Sequence, residues 1–446
     1  MTLSRRSLWV AALVGVAACD ESTPPDFPAS IDAQLRQIFN VYGVVPIGPV
    51  AAQDPALVTL GRALMFDKVL SGNRDIACAT CHTPSEHMGD GLPLAIGTGG
   101  SGVGPDRTLG PGRSFVPRNA PTLVNSGIGL FYVFWDGRLA RFGPPPPEIT
   151  LGTDNADVMV TQAMLPVLNR VEMRGEPGDV DVFGNPNELA ALADTQPALI
   201  WQAVMQRLVA IPGYVSLFNA AFPGRPASTL TFRDAARALA AFQAAELTKT
   251  DSPFDRYLKR DDNALSPEAK RGALLFFGDA GCLGCHNGPL LGGRDFANTG
   301  IPQLGPGVGR GAPLDFGRGG LVNNEFYMFA FRVPPLRNVE LTAPYFHDGA
   351  IPTLEAAVRH YNDVPEALRT FNPSTLPPAV QSSYHGDQRT IDTVLATLDF
   401  RVRRQLNLTD TQVAELVAFL KSLTDPAARD LSGITPASVP SGLPVR

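Results

Sequence analysis

Two short stretches of this chain carry residues that could do metal chemistry by their spacing alone. Cys78-Ala79-Thr80-Cys81-His82 and Cys282-Leu283-Gly284-Cys285-His286 both read C-x-x-C-H. Over one helical turn, that spacing aims two thiols at the two vinyl groups of one porphyrin and sets an imidazole under its iron. Structural zinc would need four Cys and His ligands at closed spacing, and a redox C-x-x-C pair has no use for the histidine. Neither reading explains a histidine placed directly after the second cysteine twice. The two pairs and Cys19 account for all five cysteines, so none is left for a disulfide framework. Two haem c groups are expected, attached through Cys78, Cys81, Cys282 and Cys285, with His82 and His286 on the irons. A pure electron carrier would close both irons with a second strong ligand. Peroxide chemistry needs one open or displaceable position with an acid–base group beside it.

Helices must position these motifs. Residues 32–42 and 55–66 show helical spacing of apolar side chains, and the first motif follows them. Residues 90–113 are Gly-rich and read as a loop, as do residues 143–157 with four consecutive prolines. Residues 188–249 are strongly helical in pattern, with Phe232, Ala236, Leu239 and Phe242 on one face; residues 251–262 read as a charged crossing. Ser266-Pro267-Glu268 supplies an N-cap, an N1 proline and an acidic first turn for a helix leading into the second motif. Thr409-Asp410-Thr411-Gln412 is a capping box before a helix through Leu423. Strand signals are few, and a similar helix ending in Phe precedes each motif. The expected fold is mainly α, with two related haem domains at 31–255 and 256–430 and a tail at 431–446.

Bulk properties agree with a folded, exported chain. Its 446 residues suggest two or three domains. Hydrophobic residues at 44% against charged residues at 18% provide for a normal core. A net charge of -6 argues against nucleic acid as a partner, because phosphate binding needs clustered Lys and Arg. Gly (43) and Pro (41) are both abundant, which predicts long ordered loops between short helices. Arg5 and Arg6 precede an apolar run, Leu8 to Ala18, too short to span a bilayer as a mature helix. Residues 1–18 therefore read as a signal peptide. Val16-Ala17-Ala18-Cys19 resembles a lipoprotein signal, which would make Cys19 the lipidated mature N-terminus; an ordinary signal cut after Ala18 is the alternative. Residues 19–30 would form a polar tether. The expected location is the periplasm, with a lipid anchor at Cys19.

Further motifs carry a family resemblance. Ala77-Cys78-Ala79-Thr80-Cys81-His82, Arg118-Asn119-Ala120-Pro121-Thr122-Leu123, Phe134-Trp135-Asp136-Gly137-Arg138 and Val171-Glu172-Met173 lie in the first half. Phe331 to Val339 and Thr342-Ala343-Pro344-Tyr345-Phe346-His347-Asp348-Gly349 follow in the second. In this order, over roughly residues 55–425, the chain resembles the bacterial dihaem cytochrome c peroxidases, a family that includes the MauG-type enzymes. The resemblance implies two cytochrome c-like domains and a peroxidatic haem on His82. It makes Glu172 the distal acid–base carboxylate, although by chemistry alone Glu172 reads as a surface residue between Arg170 and Arg174. It places Gln162 near the same pocket and Trp135 between the haems as an electron relay. It also implies one calcium ion at the domain junction, held by Asn119 and the carbonyls of Thr342 and Pro344. All-oxygen ligation of that kind suits a hard cation, whereas Asn and Pro in loops are commonly only turn formers.

Two departures from the family pattern bear on mechanism. Many members carry a histidine in an Ile-Gly-His context that closes the resting peroxidatic iron; this chain has Ile96-Gly97-Thr98. His87 lies too close to His82 to reach the opposite haem face. The N-terminal iron is therefore expected to be five-coordinate at rest and to need no reductive activation. At the second haem, Tyr361 falls where other members have Met. A phenolate lowers the iron potential; His360 is the rival ligand and Met328 a third. His347 is expected near a propionate and His385 on the surface. The function implied is reduction of hydrogen peroxide with electrons from a small c-type cytochrome or cupredoxin docking near the C-terminal haem, and the resemblance also admits a homodimer. A MauG-like oxidation of a partner protein and a non-catalytic dihaem electron carrier are the alternatives.

Overall fold

The computed structural model describes residues 30–142 and 158–445; the segment expected to be a signal peptide, Cys19, nearly all of the expected tether and residues 143–157 lie outside them. Where the sequence marks a helix start, a helix starts. Ser30 caps Ile31–Tyr42 and Asp54 caps Pro55–Phe66. The Ser266 side chain accepts from Ala269 N at the head of Pro267–Phe277, and Thr409 with Gln412 forms the box that opens Asp410–Lys421. Residues 188–249 break into four α-helices, Glu188–Ala191, Pro197–Val209, Pro212–Ala221 and Phe232–Glu246, with a 3-10 turn at Ala227–Thr229. Two two-residue ladders are the strands among the described residues, Tyr132–Val133 against Leu139–Ala140 and Phe296–Ala297 against Phe331–Arg332. No helix among the described residues is long and apolar enough to cross a membrane.

Two large apolar cores organise the chain, and each is built around the same crossing. Helix Pro55–Phe66 packs on Phe232–Glu246, and Pro267–Phe277 packs on Asp410–Lys421. At the first crossing Gly61 lies against the Ala238 carbonyl and Phe242 Cβ; at the second Gly272 lies against the Glu415 carbonyl and Phe419 Cβ. A side chain at either glycine would overlap the facing backbone, so glycine sets how closely the helices approach. The predicted face Phe232, Ala236, Leu239 and Phe242 is buried in the first core. The halves repeat again after each haem motif. Pro121-Thr122-Leu123-Val124-Asn125 and Pro334-Pro335-Leu336-Arg337-Asn338 share the pattern P-x-L-x-N, and both asparagines sit at φ 64°. Asn125 N donates to Leu247 O and Asn338 N to Leu423 O, each just past the last helix of its half.

The cores differ from the expected division at both ends. Leu35, Phe39 and Val44 join the second core, where the Phe39 ring meets Phe254, Tyr257 and Phe277 edge-on. Leu431, Ile434, Val439 and Leu443 join the first core. Asp67, itself buried, takes hydrogen bonds from Ser441 N and Oγ and from the Tyr214 hydroxyl. Residues 31–44 therefore pack with the C-terminal half, and the tail packs with the N-terminal half. The charged crossing also holds a helix, Pro253–Leu258, because Ser252 and Asp255 form a capping box and Phe254 and Tyr257 reach the second core.

Candidate active site

Each haem motif begins a short helical turn, Cys78–Cys81 and Cys282–Gly284. None of the four motif cysteines is in a disulfide. Burial pushes Cys78 and Cys282 up to about 12 and Cys285 to about 11, so these sulfurs are neutral in an apolar setting that suits thioethers. His82 Nδ1 lies 3.0 Å from the Met88 carbonyl, and His286 Nδ1 lies 3.1 Å from the Leu291 carbonyl. A carbonyl only accepts, so each Nδ1 carries the proton and Nε2 keeps its lone pair for a metal. The carbonyls of Pro121 and Pro334 flank the same two rings. Burial lowers both imidazoles, His286 to about 4, which keeps them neutral.

At the second motif the walls of one cavity are visible. Cys282, Cys285, His286, Trp135, Phe331, His347 and Tyr361 line one cavity. Arg332 lines it too; its guanidinium is buried, Nη1 has no hydrogen-bond partner, and burial lowers the group to about 10. A buried cation without a carboxylate calls for an anion from elsewhere, and a haem propionate supplies one. Tyr361 follows helix Leu354–His360 and faces this cavity, while the His360 Nε2 lies 2.7 Å from the Thr299 carbonyl. The tyrosine and not the neighbouring histidine therefore shares the cavity with His286. Met328 packs in a separate small cluster with Phe329 and Ile391. His347 is buried and stacks on Phe331 with ring centroids 3.5 Å apart. His385, expected on the surface, is half-buried with Nε2 2.9 Å from the Gly305 carbonyl.

At the first motif, Glu172 comes within electrostatic range of both Cys78 and Cys81. It sits on a single π-turn, Arg170–Arg174, capped by Asn169. Arg170 and Arg174 point elsewhere, both to Asp194. Desolvation pushes the Glu172 carboxyl up to about 7, with Arg138 acting in the opposite direction. Gln162 is half-buried on helix Val158–Met164, one short segment earlier.

Trp135 lies in the turn that joins Tyr132–Val133 to Leu139–Ala140. Its Nε1 donates to Asn119 O at 2.9 Å, two residues before the Pro121 that flanks His82. Its ring borders the His286 cavity, and its carbonyl accepts from Arg332 N at 2.7 Å. Beneath it, Arg118 ties the halves together, with Nε and Nη2 on Asp315 and Nη1 on Asp136. Asn119 N donates to His347 O, and its side-chain nitrogen donates to Leu92 O. No hydrogen bond joins Asn119 to Thr342 or Pro344 among the described residues, but Pro344 packs by Gly349, which abuts Pro93. Asp348 beside them has a buried Oδ2 with no hydrogen-bond partner, 3.9 Å from His347 Nε2, and burial raises its carboxyl well above the usual range. An orphaned carboxylate oxygen at that junction fits a cation.

Sequence reasoning missed the carbonyls of Pro121 and Pro334 and the two closing asparagines. The repeated P-x-L-x-N spacing was the available signal.

The family model described as di-haem cytochrome c peroxidase matches residues 55–263. Cytochrome c551 peroxidase of Pseudomonas aeruginosa is 36% identical over 301 residues, covering 67% of this chain and 69% of that protein. Methylamine utilization protein MauG of Methylorubrum extorquens is 32% identical over 331 residues, covering 74% and 75%. Among solved structures, a MauG-like protein associated with microbial copper homeostasis aligns with a TM-score of 0.58 and 26% identity, over 87% of this chain and 95% of that one.

Proposed function

The chain belongs to the di-haem cytochrome c peroxidase family, and on that premise we propose that it reduces hydrogen peroxide to two waters, consuming two protons and two electrons, at the His82 centre. The observation that carries this reading is Glu172: a carboxylate of raised pKa, within electrostatic range of Cys78 and Cys81 on a π-turn that other segments fix in place. A haem held by Cys78, Cys81 and His82 would supply an iron for peroxide, and a second, held by Cys282, Cys285 and His286 with Tyr361 in the same cavity, would supply electron storage. Glu172 takes the proton from the near peroxide oxygen and returns it to the far one, which leaves as water. Gln162, on the helix before the π-turn, would help orient the peroxide, as the family resemblance implies. Trp135 shortens the electron path between the centres. Calcium at Asn119, Thr342 and Pro344 would hold the junction rigid. The two haem domains, export to the periplasm, the Cys19 lipid anchor and a small c-type cytochrome or cupredoxin donor belong to the same proposal.

Turnover of peroxide with a reduced small cytochrome tests it, with two donor equivalents oxidised per peroxide as the expected result. The pH dependence follows from the raised Glu172 pKa. The working form is the carboxylate, so kcat/KM for peroxide should rise through about pH 7 and level off above it. Stopped-flow rates from acid to alkaline pH check this, and a profile flat across pH 7 would contradict it.

A second reading, MauG-like oxidation of a partner protein, is favoured by one observation, the placement of Tyr361 in the His286 cavity. Accumulation of oxidised partner residues without donor oxidation would select it.

A further inference from the structure

The π-turn that carries Glu172 is held from outside. Its three successive carbonyls are each taken by another segment: Glu172 O by Thr98 N, Met173 O by Gly72 N, and Arg174 O by the Asn187 side chain. The first of these contacts is built with the least slack. Gly97 lies flat against the carbonyls of Val171 and Glu172, where a side chain would overlap both. Behind it the segment 96–99 is gripped twice. Arg107, 5% exposed, donates from Nε to Ile96 O at 2.7 Å, from Nη2 to Gly97 O at 2.7 Å and from Nη1 to Gly102 O at 2.8 Å. Asp75 accepts from Thr98 Oγ1 at 2.8 Å and from Gly99 N at 2.6 Å. The front of the segment meets the haem motif, with Cys81 Sγ 3.7 Å from Ile96 O. Asp75 lies three residues before Cys78.

We propose that Arg107 and Asp75 are positioning residues: they brace residues 96–99 as a strut between Cys81 and Glu172 and so fix where the Glu172 carboxylate stands over the N-terminal haem. The inference rests on the role proposed above for Glu172. Both residues bond to the loop around 96–102 and not to Glu172 itself, and the hydrogen bonds of Arg107 go to backbone carbonyls. The strut also commits the Thr98 side chain to Asp75. The position at which related chains bring a histidine to the iron is thereby occupied by a hydroxyl turned the other way. Buried arginines that bind only carbonyls are costly to desolvate, which fits a residue kept for geometry.

The test uses the full-length protein with both haems attached. Asp75→Asn and Thr98→Val are the primary variants, because each removes one hydrogen bond with little change in volume; Arg107→Lys is the conservative third. Fluoride binding to the oxidised protein is read alongside peroxide turnover, since fluoride on a haem iron is held by a proton donor placed above it. Each primary variant should weaken fluoride binding by roughly three- to tenfold, the worth of one lost hydrogen bond. Each should lower kcat by at least as much with KM little changed, and Arg107→Lys should fall between them and the parent. In a Glu172→Gln background the same changes should add almost nothing, because the strut acts through Glu172. Unchanged fluoride affinity and kcat in all three variants, or losses that persist in full on the Glu172→Gln background, would overturn the strut. If Glu172→Gln alone leaves fluoride binding and turnover untouched, the role of Glu172 fails first and the strut falls with it.

Discussion

Replacing Glu172 with glutamine should lower kcat for peroxide by about 10²- to 10⁴-fold, the usual worth of a placed general acid–base, with both haems still attached. Glutamine keeps the size and the π-turn but can neither accept the peroxide proton nor return it. The carboxyl rests on backbone that other segments hold in place, so the loss should be chemical and not structural. The Asn169 cap to Glu172 N and the Thr98 bond to Glu172 O both use main-chain atoms and survive the change. Single-turnover kinetics separate the steps. Peroxide should still bind, and O–O cleavage should become the slow step. The rise in rate through about pH 7 should vanish with the carboxylate.

The second large effect is expected at Arg118. Its guanidinium is buried and shared between Asp136 and Asp315, which are buried as well. Arg118→Ala would strand Asp315 and leave Asp136 to Arg138 alone where the halves meet, at a cost of about 3–5 kcal/mol. Arg118 and Arg138 together hold Asp136 down at about 2, and Arg118 lowers Asp315. A depressed carboxylate pKa contributes stability that is present above the unfolded value and lost as pH falls through the folded one. The parent should therefore lose this contribution only between roughly pH 4 and 2, whereas Arg118→Ala has lost it at neutral pH. Thermal unfolding followed across pH measures the difference, which should narrow in acid. Asp315→Asn in the Arg118→Ala background should recover part of the loss.

How much of this was legible in the sequence depended on the range of the signal. Haem attachment was readable because four thiols and two imidazoles are fixed by spacing within five residues. Helix starts were readable for the same reason: Ser266 and Thr409 act on amides three positions away. Phe254 and Tyr257 were hidden because the eye follows the charges around them, although Ser252 and Asp255 cap the helix that buries both. Which core receives Phe39 or Leu443 could not be read, since nothing local distinguishes two apolar cores of the same construction. The Arg118–Asp315 pair and the grip of Arg107 on Ile96 and Gly97 are set by chain folding, and an arginine in a Gly-rich loop carries no mark of burial. The resemblance supplied what local patterns could not for Glu172, and the structure adds the π-turn and the segments that hold it.

The central claim is that the His82 centre is open at rest with Glu172 beside it. The most direct test is the EPR spectrum of the fully oxidised protein before and after one equivalent of hydrogen peroxide. The account predicts one high-spin and one low-spin haem, with both signals changing at once on addition and no prior reduction required. Two low-spin haems that do not respond to peroxide would contradict it, because some side chain would then be closing the first iron.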